Sequence, residues 1–104
     1  MVDFTAFTKV YFEYQIEADG YSYLVIYGRH INGGYIAIPN HNVSVEASTN
    51  ENSRDYNAGK LISVGLSEQT AGQIADIIER YNNEHRQQIE DDAKRNRDRL
   101  FKGK

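Results

Sequence analysis

Hydrophobic and polar residues alternate from Lys9 to Glu17, which places Val10, Phe12, Tyr14 and Ile16 on one face and Tyr11, Glu13, Gln15 and Glu17 on the other. A period of two is the pattern of a half-buried strand. Ala18-Asp19-Gly20 follows, and Asp-Gly tolerates the positive φ of a tight hairpin. The next run, Tyr21 to Arg29 (YSYLVIYGR), is β-branched and aromatic and is apolar on both faces at its middle, so it predicts a central strand. Asn32-Gly33-Gly34 marks a second turn. Tyr35 to Ile38 predicts a third strand, ended by Pro39, which has no N–H to give to a ladder. After Asn40-His41-Asn42, the residues Val43, Val45 and Ala47 share one face of a short fourth strand. Short links between successive strands predict an antiparallel meander.

The period then changes. Ser48 to Asn57 (STNENSRDYN) is polar throughout and predicts a loop, the most mobile segment of the chain. Ala58 to Val64 predicts a short helix closed by Gly65 at its C-cap. Ser67 is placed to cap a second helix, with Glu68 in the first turn, where the helix dipole favours an anion. Ala71, Ile74, Ala75, Ile78 and Tyr81 then repeat at three- and four-residue spacing as one apolar stripe. Past Tyr81 the stripe thins to His85, Ile89 and Ala93, and no Gly or Pro intervenes before Gly103. The expectation is one long helix whose first half packs on the sheet and whose second half projects. Pairs such as Glu90–Lys94 and Asp91–Arg95 would each support it by about 0.2–0.5 kcal/mol. A thin apolar stripe suits packing on a second copy of the chain as well as it suits fraying in a monomer. The predicted fold class is α+β, a four-stranded antiparallel meander followed by a short helix and one long C-terminal helix packed on the sheet. Its core domain spans residues 1–81 and its charged helical extension residues 82–104.

Composition narrows the function. The chain has 104 residues, 39% of them hydrophobic, enough for one folded core and too apolar for disorder. It lacks cysteine, which excludes disulfides and thiolate metal sites and permits a reducing compartment. Met1-Val2-Asp3-Phe4 lacks the basic start and apolar core of a signal peptide. The longest apolar stretch, around Tyr23 to Tyr27, is too short to cross a bilayer. A cytoplasmic protein without membrane partners is expected. Residues 1–81 hold five basic groups (Lys9, Arg29, Arg54, Lys60, Arg80) against ten acidic ones, a balance of −5, while residues 82–104 hold seven basic and five acidic groups, a balance of +2. Neither predicts nucleic-acid binding from charge alone.

No catalytic motif emerges. His30, His41 and Glu46 lie near one another in sequence but lack the ligand spacing of a zinc site, and His85 falls on the helical stripe. Ser44, Ser48, Ser53 and Ser63 occur in no G-x-S-x-G context. Gly33-Gly34 lacks the lysine and the following helix of a phosphate-binding loop. The chain is expected not to be an enzyme and to need no cofactor or metal. One polar cluster is a candidate binding site: Arg29, His30, Asn32, Tyr35, Asn40 and His41 around two successive turns, with Arg54, Tyr56 and Asn57 in the loop beyond. Arginine offers a planar fork for phosphate or carboxylate, and Tyr and His offer faces for stacking a base. Turns are also rich in Asn and Gly for backbone reasons alone.

Tyr23-Leu24-Val25-Ile26-Tyr27-Gly28, His30-Ile31-Asn32-Gly33, Ile38-Pro39-Asn40, Glu46-Ala47-Ser48, Asp55-Tyr56-Asn57, Lys60-Leu61, Gly65-Leu66 and the Ala71/Ile74/Ala75 helix occur in that order over about sixty residues. In them the chain resembles a family of small uncharacterised proteins from phages and mobile elements of Gram-positive bacteria, some of them similar to anti-CRISPR inhibitors. It departs from the family pattern at His41, where relatives often carry Trp, at Val45, where they often carry Cys, and in the charged extension after Tyr81. The resemblance implies a non-catalytic anti-defence protein that binds and blocks a bacterial immune effector of the Cas nuclease type in the host cytoplasm. The alternative it leaves open is a sponge, a homo-oligomer assembled through the long helix that sequesters a cyclic-nucleotide or ADP-ribose-type signal. In that reading Arg29, Tyr35, His41, Arg54 and Tyr56 would hold phosphate and base.

Overall fold

The computed structural model describes residues 7–30 and 33–102, with side chains described through Arg95. Strands β1 (Phe7–Ala18), β2 (Tyr21–His30), β3 (Gly33–Ile38) and β4 (Val43–Ala47) pair antiparallel in the order β1-β2-β3-β4. The α+β meander read from the alternation is therefore the fold. Asp19 (φ 54°) and Gly20 (φ 78°) both take positive φ. That is the turn geometry whose twist suits a two-residue hairpin.

Helices α1 (Arg54–Ser63) and α2 (Glu68–Glu84) cover one face of the sheet. Ala71, Ile74, Ala75 and Ile78 of α2 and Leu61 of α1 are buried against Tyr23, Val25, Tyr27, Ile36 and Ile38. On the opposite face a smaller apolar patch gathers Ile26, Ala37 and Phe7. β1 departs from the simple alternation. Its register against β2 shifts between Phe7 and Lys9 and again between Val10 and Phe12. The extra residue lets Tyr11 and Phe12 both reach the helix-covered core, while Val10 is 46% exposed. Tyr11 thus lies on the same side as Phe12, not opposite it. Gly28 permits the close approach of β1, since a Cβ there would fall 2.9 Å from the Val10 Cα.

α1 begins at Arg54, four residues before the pattern predicts. Its first turn is completed from outside, because the Arg54 N–H donates to Glu79 Oε2 of α2 at 3.0 Å. It ends as expected at Gly65 (φ 107°), with Leu66 N–H bonding to Leu61 O and Gly65 N–H to Ile62 O. The polar segment between β4 and α1 is a loop as the composition predicts, but only to Ser53, and it is tied to the helices by hydrogen bonds. Asn57 exchanges two hydrogen bonds with the Ser48 backbone, at 2.7 and 3.1 Å. Asn82 of α2 donates to Ser48 O, Asn50 O and Ser53 Oγ at 3.1–3.2 Å.

α2 starts as its cap predicts, with Ser67 Oγ accepting the Thr70 N–H. It does not run unbroken to the C-terminus. His85 leaves helical geometry (φ −116°, ψ 34°), and a separate helix α3 (Arg86–Lys102) follows. Past the break the start of α3 stays against the end of the sheet through Lys9 and Thr49, with Ile89 1% exposed and Asp92 5% exposed. The charge pairs also differ, with Glu90 bound to Arg86 and Arg95 to Asp92 in place of Lys94 and Asp91. Among the described residues no helix is long and apolar enough to cross a membrane.

Candidate functional site

Consecutive turns of a meander lie at opposite ends of the sheet, and this divides the predicted cluster. β3 has six residues, which separates its two turns by about 20 Å. Asn40 and His41 sit at the end that carries the Asp19-Gly20 hairpin, and His30 and Tyr35 lie toward the other. Asn32 lies outside the described residues.

The predicted residues that are described have partners within the fold. Arg29 points into the helix-covered side and is 6% exposed, donating to Tyr11 Oη and Thr49 Oγ1, both at 3.3 Å. Its neighbour His30 lies on the other face, its ring 4.8 Å from that of Tyr35, which also meets the edge of Phe7 at 5.2 Å. Arg54 binds Asp76 Oδ1 through Nε at 2.6 Å and Asp55 at 3.3 Å. The Asp76 hydrogen bond holds its guanidinium charged, above the usual arginine value. Asn57 is fully buried as the clamp on Ser48. Tyr56 stays 52% exposed, with the Lys60 ammonium 5.5 Å from its ring centre.

Asn40 does the work of a missing strand. β3 pairs with β2 only from Ile26 onward, so the first residues of β2 lack a neighbour there. Asn40 Oδ1 accepts the Leu24 N–H at 3.0 Å and Nδ2 donates to Ser22 O at 2.8 Å, as a paired backbone would. His41 Nε2 contacts the same carbonyl at 2.8 Å, and its ring stacks on Tyr23 at 4.1 Å.

That stack floors a groove of about 320 Å³ between the start of β2 and the α1–α2 turn. Tyr21 and Val64 flank it, 62% and 44% exposed, with Leu66 alongside. At its rim the Asp19 carboxylate accepts from Thr70 Oγ1 at 2.6 Å and Ser67 Oγ at 2.7 Å, and these two bonds lower its pKa. Of the predicted residues only His41 lines this groove. Tyr21 and Tyr23 were legible as a same-face pair two residues apart, but Val64 and Leu66 come from a turn more than 40 residues further on in sequence, and nothing local links the two segments. No group of three His, Asp or Glu side chains placed to hold a metal ion occurs among the described residues.

A four-stranded antiparallel meander backed on one face by helices thus defines a small α+β domain with a surface groove at one end. Residues 1–86 match the family of unknown function DUF6618, and the chain belongs to that family. The match covers all four strands and α2 and stops at the first residue of α3. No curated protein and no solved structure matches the chain.

Proposed function

We propose that the protein is a non-catalytic binding protein that engages another protein through the groove at the Tyr21 end of the sheet. The observation that carries this reading is a tyrosine and a valine exposed in the lining of a groove that the stacked Tyr23–His41 pair also lines. Tyrosine supplies a large contact area at small entropic cost, and aromatic residues are enriched where binding energy concentrates. The partner we propose is a bacterial immune effector of the Cas nuclease type, met in the host cytoplasm. Support for that finer identification is the family resemblance together with the −5 balance over residues 1–81, a charge suited to the basic surface of a nucleic-acid-binding effector. The nucleotide-sponge reading has less support, because Arg54 already pairs with Asp76 and Asp55 and His41 lies at the opposite end of the sheet from Arg29.

The test is target cleavage by several purified type II effectors with and without the protein. Inhibition that weakens with salt, and at least tenfold with the pair Tyr21→Ala and Val64→Ala, is the expected result. Unchanged cleavage across the set would remove the anti-defence identification. Inhibition that survives both substitutions would move the contact away from the groove. Native mass spectrometry of the protein as purified from cells bears on the rival: a discrete oligomer carrying a nucleotide would put the sponge ahead.

A further inference from the structure

At the other end of the sheet, α3 delivers one carboxylate into a polar pocket. Asp92 is 5% exposed. Its Oδ1 accepts from Lys9 Nζ at 3.2 Å and lies 3.3 Å from Arg95 Nη2. Its Oδ2 is also 3.2 Å from Lys9 Nζ, but no aligned donor reaches it, and it is fully buried. Tyr11 stands between this carboxylate and Arg29: burial and Asp92 raise the phenol's pKa, and the Arg29 guanidinium pulls it back. Arg29 is bound by two neutral hydroxyls at 3.3 Å. A buried guanidinium carries five donors in a fork made for an oxyanion, and long bonds to hydroxyls leave that capacity poorly used.

The pocket and its occupant come from different parts of the chain. Lys9, Tyr11, Arg29 and Thr49 lie within the residues shared with the family, and Asp92 lies beyond them. Among the described residues α3 is held near its start by buried Ile89, by Arg86 Nη1 donating to Thr49 O at 2.7 Å, and by the Lys9–Asp92 pair. His85, out of helical geometry, separates it from α2. The Asp92 carboxylate is buried with one oxygen lacking a hydrogen bond while its partner Lys9 is 40% exposed, so the pairing offsets only part of its desolvation cost. A phosphate group has oxygens enough to meet the ammonium, the phenol and the guanidinium together.

We propose that Lys9, Tyr11 and Arg29 form a phosphate-binding site that Asp92 plugs in cis, with α3 as a strap that swings out on the His85 bend when a phosphate group displaces the carboxylate. This site is independent of the groove described above and stands or falls without it. The experiment uses the full chain and inorganic pyrophosphate as the probe, at matched ionic strength. In the wild type, pyrophosphate is expected to raise amide exchange over residues 89–92 at least fivefold while the amides of α2 stay unchanged. Asp92→Ala is expected to bind pyrophosphate at least tenfold more tightly than the wild type in calorimetry, with one site per chain. Adding Lys9→Met to it should abolish that binding. Asp92→Asn, which keeps the shape of the side chain, serves as the second variant should the alanine fail to fold. Equal affinity of wild type and folded Asp92 variants would overturn the proposal, as would binding that persists without Lys9. Failure of both Asp92 variants to fold would make the carboxylate a structural ion pair, and the plug would be refuted.

Discussion

Ile78 shows how much one side chain contributes to a domain this small. It is fully buried where α2 crosses the sheet, packed in the same core as Tyr27, Ile36 and Leu61. Truncating such a residue removes its transfer free energy and leaves a cavity, so Ile78→Ala is expected to cost about 2–5 kcal/mol by urea denaturation. A loss below about 0.5 kcal/mol would be a surface value and would mean the helix is turned the other way. Asp19 makes a different kind of contribution, one that depends on pH. Its hydrogen bonds from Thr70 and Ser67 stabilise the ionised form, so its folded-state pKa lies below its unfolded value. The contribution is therefore complete above the ordinary carboxylate range and fades as the pH falls through the lower folded value. Comparing wild type with Asp19→Asn, which keeps a residue tolerant of positive φ in the turn, isolates it. The difference between their urea midpoints should be constant near neutrality and shrink in acid. A gap that persists at low pH would assign the effect to turn geometry.

At the level of elements, α2 does more than cover the sheet. Asn82 is fully buried near its end, and it accepts the Tyr27 hydroxyl at 2.5 Å while donating to the β4–α1 segment. One amide thus ties a central strand, a helix and a loop together. Asn82→Ala leaves the Tyr27 hydroxyl buried with its acceptor gone, an expected cost of about 1–3 kcal/mol. Amide exchange across residues 48–53 should accelerate with it, and unchanged exchange there would show that Asn57 suffices to hold the segment. The same residues explain what the sequence could and could not reveal. Strands, turns and the α2 stripe were legible because alternation, Asp19-Gly20 and the spacing of Ala71, Ile74 and Ile78 are local signals. The order of the segment from Ser48 to Asn57 was not, because its stabilising partner, Asn82, lies about thirty residues on and reads as one more polar position on a helix. The bulge at Tyr11 was hidden for a similar reason, since aromatic residues continue on either side of it and the alternation reads through. The candidate cluster, close in sequence, is divided in space. Turns flanking β3 are near neighbours along the chain and opposite ends of a sheet in space.

For the whole molecule the open question is where the folded unit ends. Its extents of 47 × 29 × 21 Å describe an elongated body. Composition placed the boundary at Tyr81, after which charge dominates. Burial continues past it: Asn82 and Ile89 are buried to the same degree as the α2 stripe, and Asp92 nearly so. Arg86 reaches Thr49, so the first turns of α3 close the end of the sheet where β1 is bulged. Truncation distinguishes these boundaries. A chain ending after Arg95 retains Arg86, Ile89 and Asp92 and should unfold within about 0.5 kcal/mol of the full chain, the range of surface changes. A chain ending after Arg86 loses the burial of Ile89, worth about 1.5–3 kcal/mol, and uncovers Tyr11. Its urea midpoint should fall accordingly, while the slope of the transition stays that of one cooperative unit. Equal midpoints for the two truncations would mean that α3 rides on the domain without stabilising it. The family match ending at Arg86 would then mark the edge of the folded unit as well as the edge of the shared sequence.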